Sequence, residues 1–412
     1  MIRRFCLYGF LKNQRYFEPF LILAFLDKGL GFATIGLLVA VREGTTRLLE
    51  IPSGALADLW GRRRSMVLSF AAYVTSFLLL GAADRWLWLA AGMVLFGIGD
   101  AFRTGTHKAM ILTWLEREGR LSEKTAVYGQ TRSWSKLGSA ASIPISMAVV
   151  WISGDYQAVF FVSVIPALAD LVNLALYPAF LEGPAQGADF GAVWRHMRAA
   201  LLAALQLHPL RRLVAESMGY EGYVKVAKDY LQPVVKAVAL AAGLGMILPT
   251  GLDEPARVAL LAGPLYFLVH ILSAAASRGA GWYSNWAGGD EAAARRLWSG
   301  LALLSALLLL ASLAGWAALF ILALAAVIVL QNLWRPLLVS RFHQVAASDQ
   351  VATVLSIESQ AKSLSGMVLA PLVGLAVELA GNGTIRFWPV AALGLLLGIG
   401  FRATARRDAA QG

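Results

Sequence analysis

Acids and bases stand in this sequence inside long apolar stretches, and they stand at helical spacing. Glu43, Arg47, Glu50, Gly54 and Asp58 follow one another at steps of four, three, four and four. Those steps put all five on one face of an α-helix. Glu43 with Arg47, and Arg47 with Glu50, are spaced to pair along that face. Asp100, Arg103, Thr104, His107 and Lys108 share a second face, and Gln130, Arg132, Ser133 and Lys136 a third. Glu221, Lys225, Lys228, Asp229 and Gln232 mark a fourth, and Arg15 with Glu18, Asn332 with Arg335, and Glu358 with Lys362 complete the set. Two kinds of chemistry fit these groups. Arg and Lys hold anionic groups through charge-assisted hydrogen bonds. A buried carboxyl beside a movable base can take up and release a proton. Ligand binding is therefore expected at Arg47, Arg103, Lys136, Lys225, Asp229, Arg335 and Lys362, and proton carriage at Glu18, Asp100, Glu221 or Glu358. Bases slightly outnumber acids, which points to a polar ligand with at least one negative charge.

The elements that must position these groups are membrane helices. Of the 412 residues 58% are hydrophobic and 15% charged, with a mean hydropathy of +0.63. Soluble domains carry about 25% charged residues. Apolar runs recur along the whole chain, and a bilayer span needs about 20 apolar residues. The spans read as roughly 5–26, 30–58, 66–83, 86–112, 127–151, 157–181, 213–247, 257–277, 297–314, 316–345, 351–380 and 384–404. The seventh is too long to be straight, and Pro233, Gly243 and Gly245 are where it is expected to bend or end. A charge at mid-bilayer costs about 2.5–3.5 kcal/mol on insertion scales, so the charged faces are expected to line a shared polar interior rather than lipid.

Twelve spans put both termini on one side. The loops on that side hold 19 Lys and Arg residues, from Arg3 to Arg407, against four on the other, Lys28, Arg85, Arg257 and Arg386. Basic loops stay in the cytoplasm, so both termini are expected there, in a multi-pass protein of the cell inner (cytoplasmic) membrane. The same rule accounts for the net charge of +11 without a nucleic-acid partner. Cys6 is the one cysteine and forms no internal disulfide. No small-residue cleavage site follows the first apolar run, so that run is expected to remain in the mature protein.

The longest polar break, Glu182 to Arg212, follows the sixth span. Val193, Met197, Leu201 and Leu205 within it fall on one helical face, as in an amphipathic helix lying on the membrane surface. The expected organisation is a six-helix bundle over 1–181, a cytoplasmic linker over 182–212 and a second bundle over 213–412. The two bundles read as repeats. Arg15-Tyr-Phe-Glu-Pro19 parallels Asp229-Tyr-Leu-Gln-Pro233, Asp100-Ala-Phe-Arg103 parallels Asn332-Leu-Trp-Arg335, and Ser133-Trp-Ser-Lys136 parallels Ser359-Gln-Ala-Lys362. The matches keep their order and pair spans six apart, as in a parallel repeat of six helices.

The loop after the second span reads Gly54-Ala-Leu-Ala-Asp58-Leu-Trp-Gly61-Arg62-Arg63-Arg64. It resembles the cytoplasmic loop motif of the major facilitator superfamily, Gly-x-Leu-Ala-Asp-x-x-Gly-Arg-Arg/Lys, at that family's position. The glycines suit close helix approach and a tight turn. The resemblance implies an all-α membrane fold, two six-helix bundles related by a pseudo-two-fold axis. It also implies a cytoplasmic gate at Gly54, Asp58, Gly61 and Arg62, while Arg63 and Arg64 are read as topology signals. The second-half copy of the motif, sought around Ser277-Arg278-Gly279, is badly degraded. Span five has Gly138 and Pro144 but lacks the Gly-Pro pattern of the family's drug/proton antiporters. Ala101-Phe-Arg-Thr-Gly-Thr-His-Lys108 and Ser356-Ile-Glu-Ser-Gln360 resemble a group of bacterial permeases of that superfamily.

The resemblance implies a secondary active transporter working by alternating access, proton-coupled, with export favoured. Its partners would be a small-molecule substrate, protons and membrane lipid, and it would act as a monomer. The alternatives are a proton-coupled multidrug efflux antiporter and, in another class, a non-transporting membrane receptor or assembly factor on the same fold. No enzyme, cofactor or metal site is expected: Gly-x-x-x-x-Gly-Lys-Ser/Thr, His-Glu-x-x-His and Gly-x-Ser-x-Gly are all absent.

Overall fold

The computed structural model describes residues 1–103, 106–182, 208–240, 251–345 and 351–411. Every regular element among them is a helix. The chain forms two compact units, Met1–Leu30 with Val41–Ala192, and Gly31–Ala40 with Val193–Gly412. The linker helix expected within 182–212 falls mostly outside the described residues.

In the first unit the chain runs through α1 (Ile2–Leu11), α2 (Leu21–Asp27), most of α3 (Phe32–Trp60), α4 (Arg62–Ala82), α5 (Trp86–Arg103), α6 (Thr106–Arg117), α7 (Lys124–Ser153) and α8 (Ala158–Ala175). The second unit holds α9 (His208–Ala227), α10 (Leu231–Leu240), α11 (Glu254–Ala287), α12 (Asp290–Leu313), α13 (Ala317–Val345), α14 (Val351–Leu379) and α15 (Trp388–Gln411). Counting α1 with α2, α5 with α6 and α9 with α10 as single passes gives twelve. Eight helical stretches among the described residues are long and apolar enough to cross a membrane. The other four passes have physical reasons to fall short. The first and seventh are interrupted, α3 carries Arg42, Glu43, Arg47 and Glu50, and the apolar part of α15 is only Trp388–Ala403.

The interruptions fall on the first pair of repeated motifs. Arg15 to Pro19 lies in the gap between α1 and α2, and Asp229 lies in a 3-10 turn, Lys228–Tyr230, between α9 and α10. Pro19 lacks the N–H that a continuous helix would use. Pro233, where the sequence predicts that the seventh pass bends or ends, follows that interruption and sits in the first turn of α10, where a missing N–H costs nothing. Gly243 and Gly245 lie outside the described residues.

Small residues set the helix spacing, since lipid offers no hydrophobic drive for helices to associate. Ser69 and Ser76 of α4, both fully buried, donate to the carbonyls of Gly99 and Gly92 of α5 at 2.6 and 2.7 Å. α1 lies against α7 at Gly9, where a Cβ would fall 2.7 Å from the Thr131 carbonyl oxygen. Gln14, just past α1, donates to the carbonyl of Gly138 at 3.1 Å. In the second unit Ser365 of α14 donates to the carbonyl of Met218 of α9 at 2.8 Å.

One loop is not where the sequence suggested. Ser277, Arg278 and Gly279 lie inside α11, which continues to Ala287. The turn is made by Gly288 and Gly289, with φ of 84° and 110°, and α12 starts at Asp290 rather than near 297. The Trp-rich end of α11 (Trp282, Trp286) extends an apolar helix that hydropathy alone ends earlier.

Candidate functional site

The repeated charges form one cluster in each unit. In the first, α1, α5, α6 and α7 enclose a cavity of about 470 Å³. Arg103, at the end of α5, reaches it; its Nη2 donates to Asp100 at 3.0 Å and its Nε to the Tyr73 hydroxyl at 3.1 Å. Tyr73 in turn donates to the same Asp100 oxygen at 2.5 Å. This closed triangle fixes the guanidinium. Lys136 lies on α7 one turn beyond Arg132, and both line the cavity with Lys12, His107 and Lys108. Among the described residues, five bases and one histidine line the wall, and no carboxylate does.

Behind the wall lies a buried polar layer. Tyr8 stacks on His107 with ring centroids 3.7 Å apart, and His107 Nε2 lies 3.3 Å from the Tyr177 hydroxyl. Tyr177 and Asn173 both donate to the Arg4 carbonyl, at 3.2 and 3.3 Å. Asn173 also donates to Asp170 at 3.2 Å; Asp170 is fully buried and its other oxygen has no hydrogen-bond partner among the described residues. An acid in the apolar run of the sixth span is visible in sequence, but without spacing to another charge Asp170 gave no pattern to single it out.

In the second unit Arg335 of α13 makes a two-pronged ion pair with Glu358 of α14, at 2.6 and 3.0 Å. Ser217 of α9 also donates to Glu358, which is completely buried. Glu221 of α9 is held more loosely. One oxygen lies 3.5 Å from Lys362 and 3.7 Å from Arg335, and the other has no hydrogen-bond partner among the described residues. Lys362 is also 3.8 Å from Glu358. The quartet is electrically balanced. Arg103 with Arg335, and Lys136 with Lys362, thus occupy corresponding helices of their units, yet the first pair faces an open cavity and the second faces carboxylates.

The remaining expected residues stand apart from these clusters. Arg47 bonds Glu50 at 2.6 Å, but Glu43 pairs with its neighbour Arg42 at 3.2 Å and not with Arg47. A side chain one residue along reaches the Glu43 carboxylate directly, which the four-residue spacing did not reveal. Lys225 packs its side chain beside Gly366 of α14, Asp229 is half-buried in the 3-10 turn, and Glu18 is exposed in the gap before α2.

At the loop motif Gly61 has a φ of 101°, which begins α4 with the sharp turn expected of it. A Cβ there would strike the Glu182 carboxylate. Among the described residues a Cβ at Gly54 would meet nothing within 4 Å. Arg62 donates to the Thr113 hydroxyl of α6 at 3.0 Å. Arg63 is more than a topology signal. It bonds Glu182 at 3.0 Å and the carbonyls of Tyr177 and Ala175 at 3.0 and 3.4 Å, tying α4 to the end of α8. The side chain of Asp58 lies outside the described residues.

The second unit has a corresponding tie with the charges inverted. Acids start α12, where Arg62 and Arg63 start α4. Arg341 of α13 donates to both oxygens of Glu216 at 2.7 and 3.1 Å, and to Glu291 at 3.0 and 2.8 Å. Arg341 and Glu216 are each 1% exposed, and Trp298 Nε1 adds a 3.3 Å contact to Glu216. Asp290 accepts from Ser284, from Ser340 at 2.6 Å and from Gln344 at 2.9 Å.

Comparison with known proteins gives the same fold. Residues 13–371 match the model of the Major Facilitator Superfamily. Over 101 residues the chain is 29% identical to the uncharacterised MFS-type transporter YxaM of Bacillus subtilis (strain 168), a match that spans 24% of each chain. The crystal structure of the nucleoside transporter NupG (D323A mutant) superimposes with a TM-score of 0.75 at 11% identity, covering 98% of this chain and 99% of that one. A bacterial homologue of the human lysosomal transporter Spinster, in an inward-facing and occupied conformation, gives 0.69 at 14% identity, with 98% and 96% covered.

Proposed function

Because the chain belongs to the Major Facilitator Superfamily, we propose that it is a secondary active transporter of a polar, anionic or zwitterionic small organic solute, coupled to protons. In this reading it works by alternating access in the cytoplasmic membrane. The observation that carries the solute class is the first unit's cavity, whose described wall holds five bases and no carboxylate. Arg103 is held rigid by Asp100 and Tyr73, so its fork is pre-organised for a carboxylate or phosphate. Lys136 supplies a second charge from the adjacent helix.

The second unit supports the coupling. Of Asp100, Glu221 and Glu358, Glu221 is held by its bases at the longest distances, 3.5 and 3.7 Å. Glu358 and Asp100 would each lose a direct hydrogen bond to arginine. Glu221 is therefore the leading proton carrier. Export is the direction favoured by the family resemblance.

Counterflow and pH-jump flux in proteoliposomes test this reading. A labelled organic anion should exchange across the membrane, and an imposed proton gradient should drive its accumulation. Stabilisation of the protein by ligands without flux of any would place the chain with receptors on this fold.

A further inference from the structure

The cavity of the first unit has a composition narrower than "anionic" requires. Arg103 is neutralised by Asp100. Lys12, Lys108, Arg132 and Lys136 form no ion pair with any described residue. Four cations around about 470 Å³ repel one another, and a ligand with a single negative charge leaves most of that repulsion in place.

Four neutral polar groups of the wall offer acceptor oxygens. Thr131, Ser135 and Ser139 step along α7 by one turn each. Their hydroxyls donate back to the carbonyls of Tyr128, Thr131 and Ser135 at 2.8, 3.1 and 3.2 Å. Asn13 donates one amide hydrogen to the Gly9 carbonyl at 2.7 Å. Each therefore presents oxygen lone pairs, which take hydrogen bonds from ligand O–H groups. Of the rings in the wall, Tyr8 is stacked on His107 with Lys12 5.0 Å from its centroid, and Lys108 lies 5.4 Å from the centroid of Tyr128.

We infer that this cavity binds a hydroxylated solute carrying at least two negative charges, of the sugar-phosphate or polyhydroxy-polycarboxylate class. The inference rests on the transporter reading only for what happens to the ligand after it binds. The phosphate of a lipid headgroup bears related chemistry, so the test separates the two.

Purified full-length protein would be reconstituted in phosphatidylcholine vesicles, with and without phosphatidylglycerol. Binding and counterflow would be measured with glucose 6-phosphate, gluconate, succinate and uridine. Glucose 6-phosphate should bind at least about tenfold more tightly than gluconate, which has the hydroxyls but one charge, and than succinate, which has the charges but no hydroxyls. Uridine should not bind. Arg132→Gln and Lys136→Gln should each weaken glucose 6-phosphate about tenfold while changing gluconate less.

Equal or tighter binding of gluconate, succinate or uridine overturns the inference, as does a panel in which nothing binds. Transport of gluconate or uridine without glucose 6-phosphate keeps the transporter and removes the dianion. Binding of glucose 6-phosphate without counterflow keeps the site and removes the transporter. Stabilisation that needs phosphatidylglycerol and that no soluble anion reproduces assigns the site to lipid and overturns the proposal.

Discussion

At the scale of single residues, burial separates charges that hold the protein together from charges that are free to act. Arg341 and Glu216 are each 1% exposed and paired through two hydrogen bonds. Replacing Arg341 by Ala removes the two-pronged partner of buried Glu216 and leaves it to Arg212 at 2.8 Å and to Trp298, a loss bounded by the roughly 3–5 kcal/mol of breaking a buried pair outright. A thermal-unfolding assay in detergent should therefore show a large drop in Tm. Replacing Lys136, exposed on the cavity wall, should leave Tm nearly unchanged. Glu221 and Glu358 should divide in the same way. Glu221→Gln should preserve ligand binding but flatten the pH dependence of flux, because its bonds to Lys362 and Arg335 are long. Glu358→Gln should lower Tm, because it breaks a two-pronged pair with Arg335. The sequence marked Glu221, Glu358, Arg335 and Lys362 through helical spacing and the repeat. It offered no such mark for Arg341: a base at a helix end looks alike whether it faces water or a carboxylate 125 residues away.

At the scale of helices, what was legible depended on local rules. Eight of the passes are marked by hydropathy alone, and the interruption of the first and seventh coincides with the repeated motif that ends in Pro19 and Pro233. The end of α11 was misplaced because it is set by Gly288 and Gly289, beyond the apolar run. The spacing of α1 and α7 was not legible either, since a glycine in an apolar helix does not say which helix it meets. That spacing can be tested. Gly9→Val would place a Cβ 2.7 Å from the Thr131 carbonyl oxygen and its methyl groups against α7. Overpacking of this kind costs roughly 1–3 kcal/mol and shifts the backbone. Since both helices line the cavity, the variant should lose anion affinity together with Tm, whereas Arg132→Gln should lose affinity alone.

At the scale of the whole molecule the open property is orientation in the membrane, and its argument is electrostatic. Lys and Arg in short loops resist translocation, so a count of 19 against four predicts that both termini face the cytoplasm. The structure moves some of these charges without weakening the argument. Arg278 lies within α11, and Arg295 and Arg296 lie in the first turns of α12. Arg62, Arg63 and Arg64 remain at the start of α4, and Arg117 and Arg120 at the end of α6 and just beyond it. Asp84 and Glu118 stand at opposite ends of the pass formed by α5 and α6, and Cys6, the one native cysteine, is buried. Single-cysteine variants on a Cys6→Ser background can therefore report sidedness. In intact cells a membrane-impermeant maleimide should label Asp84→Cys and spare Glu118→Cys until the membrane is opened. The reverse pattern would put both termini outside and the basic loops with them.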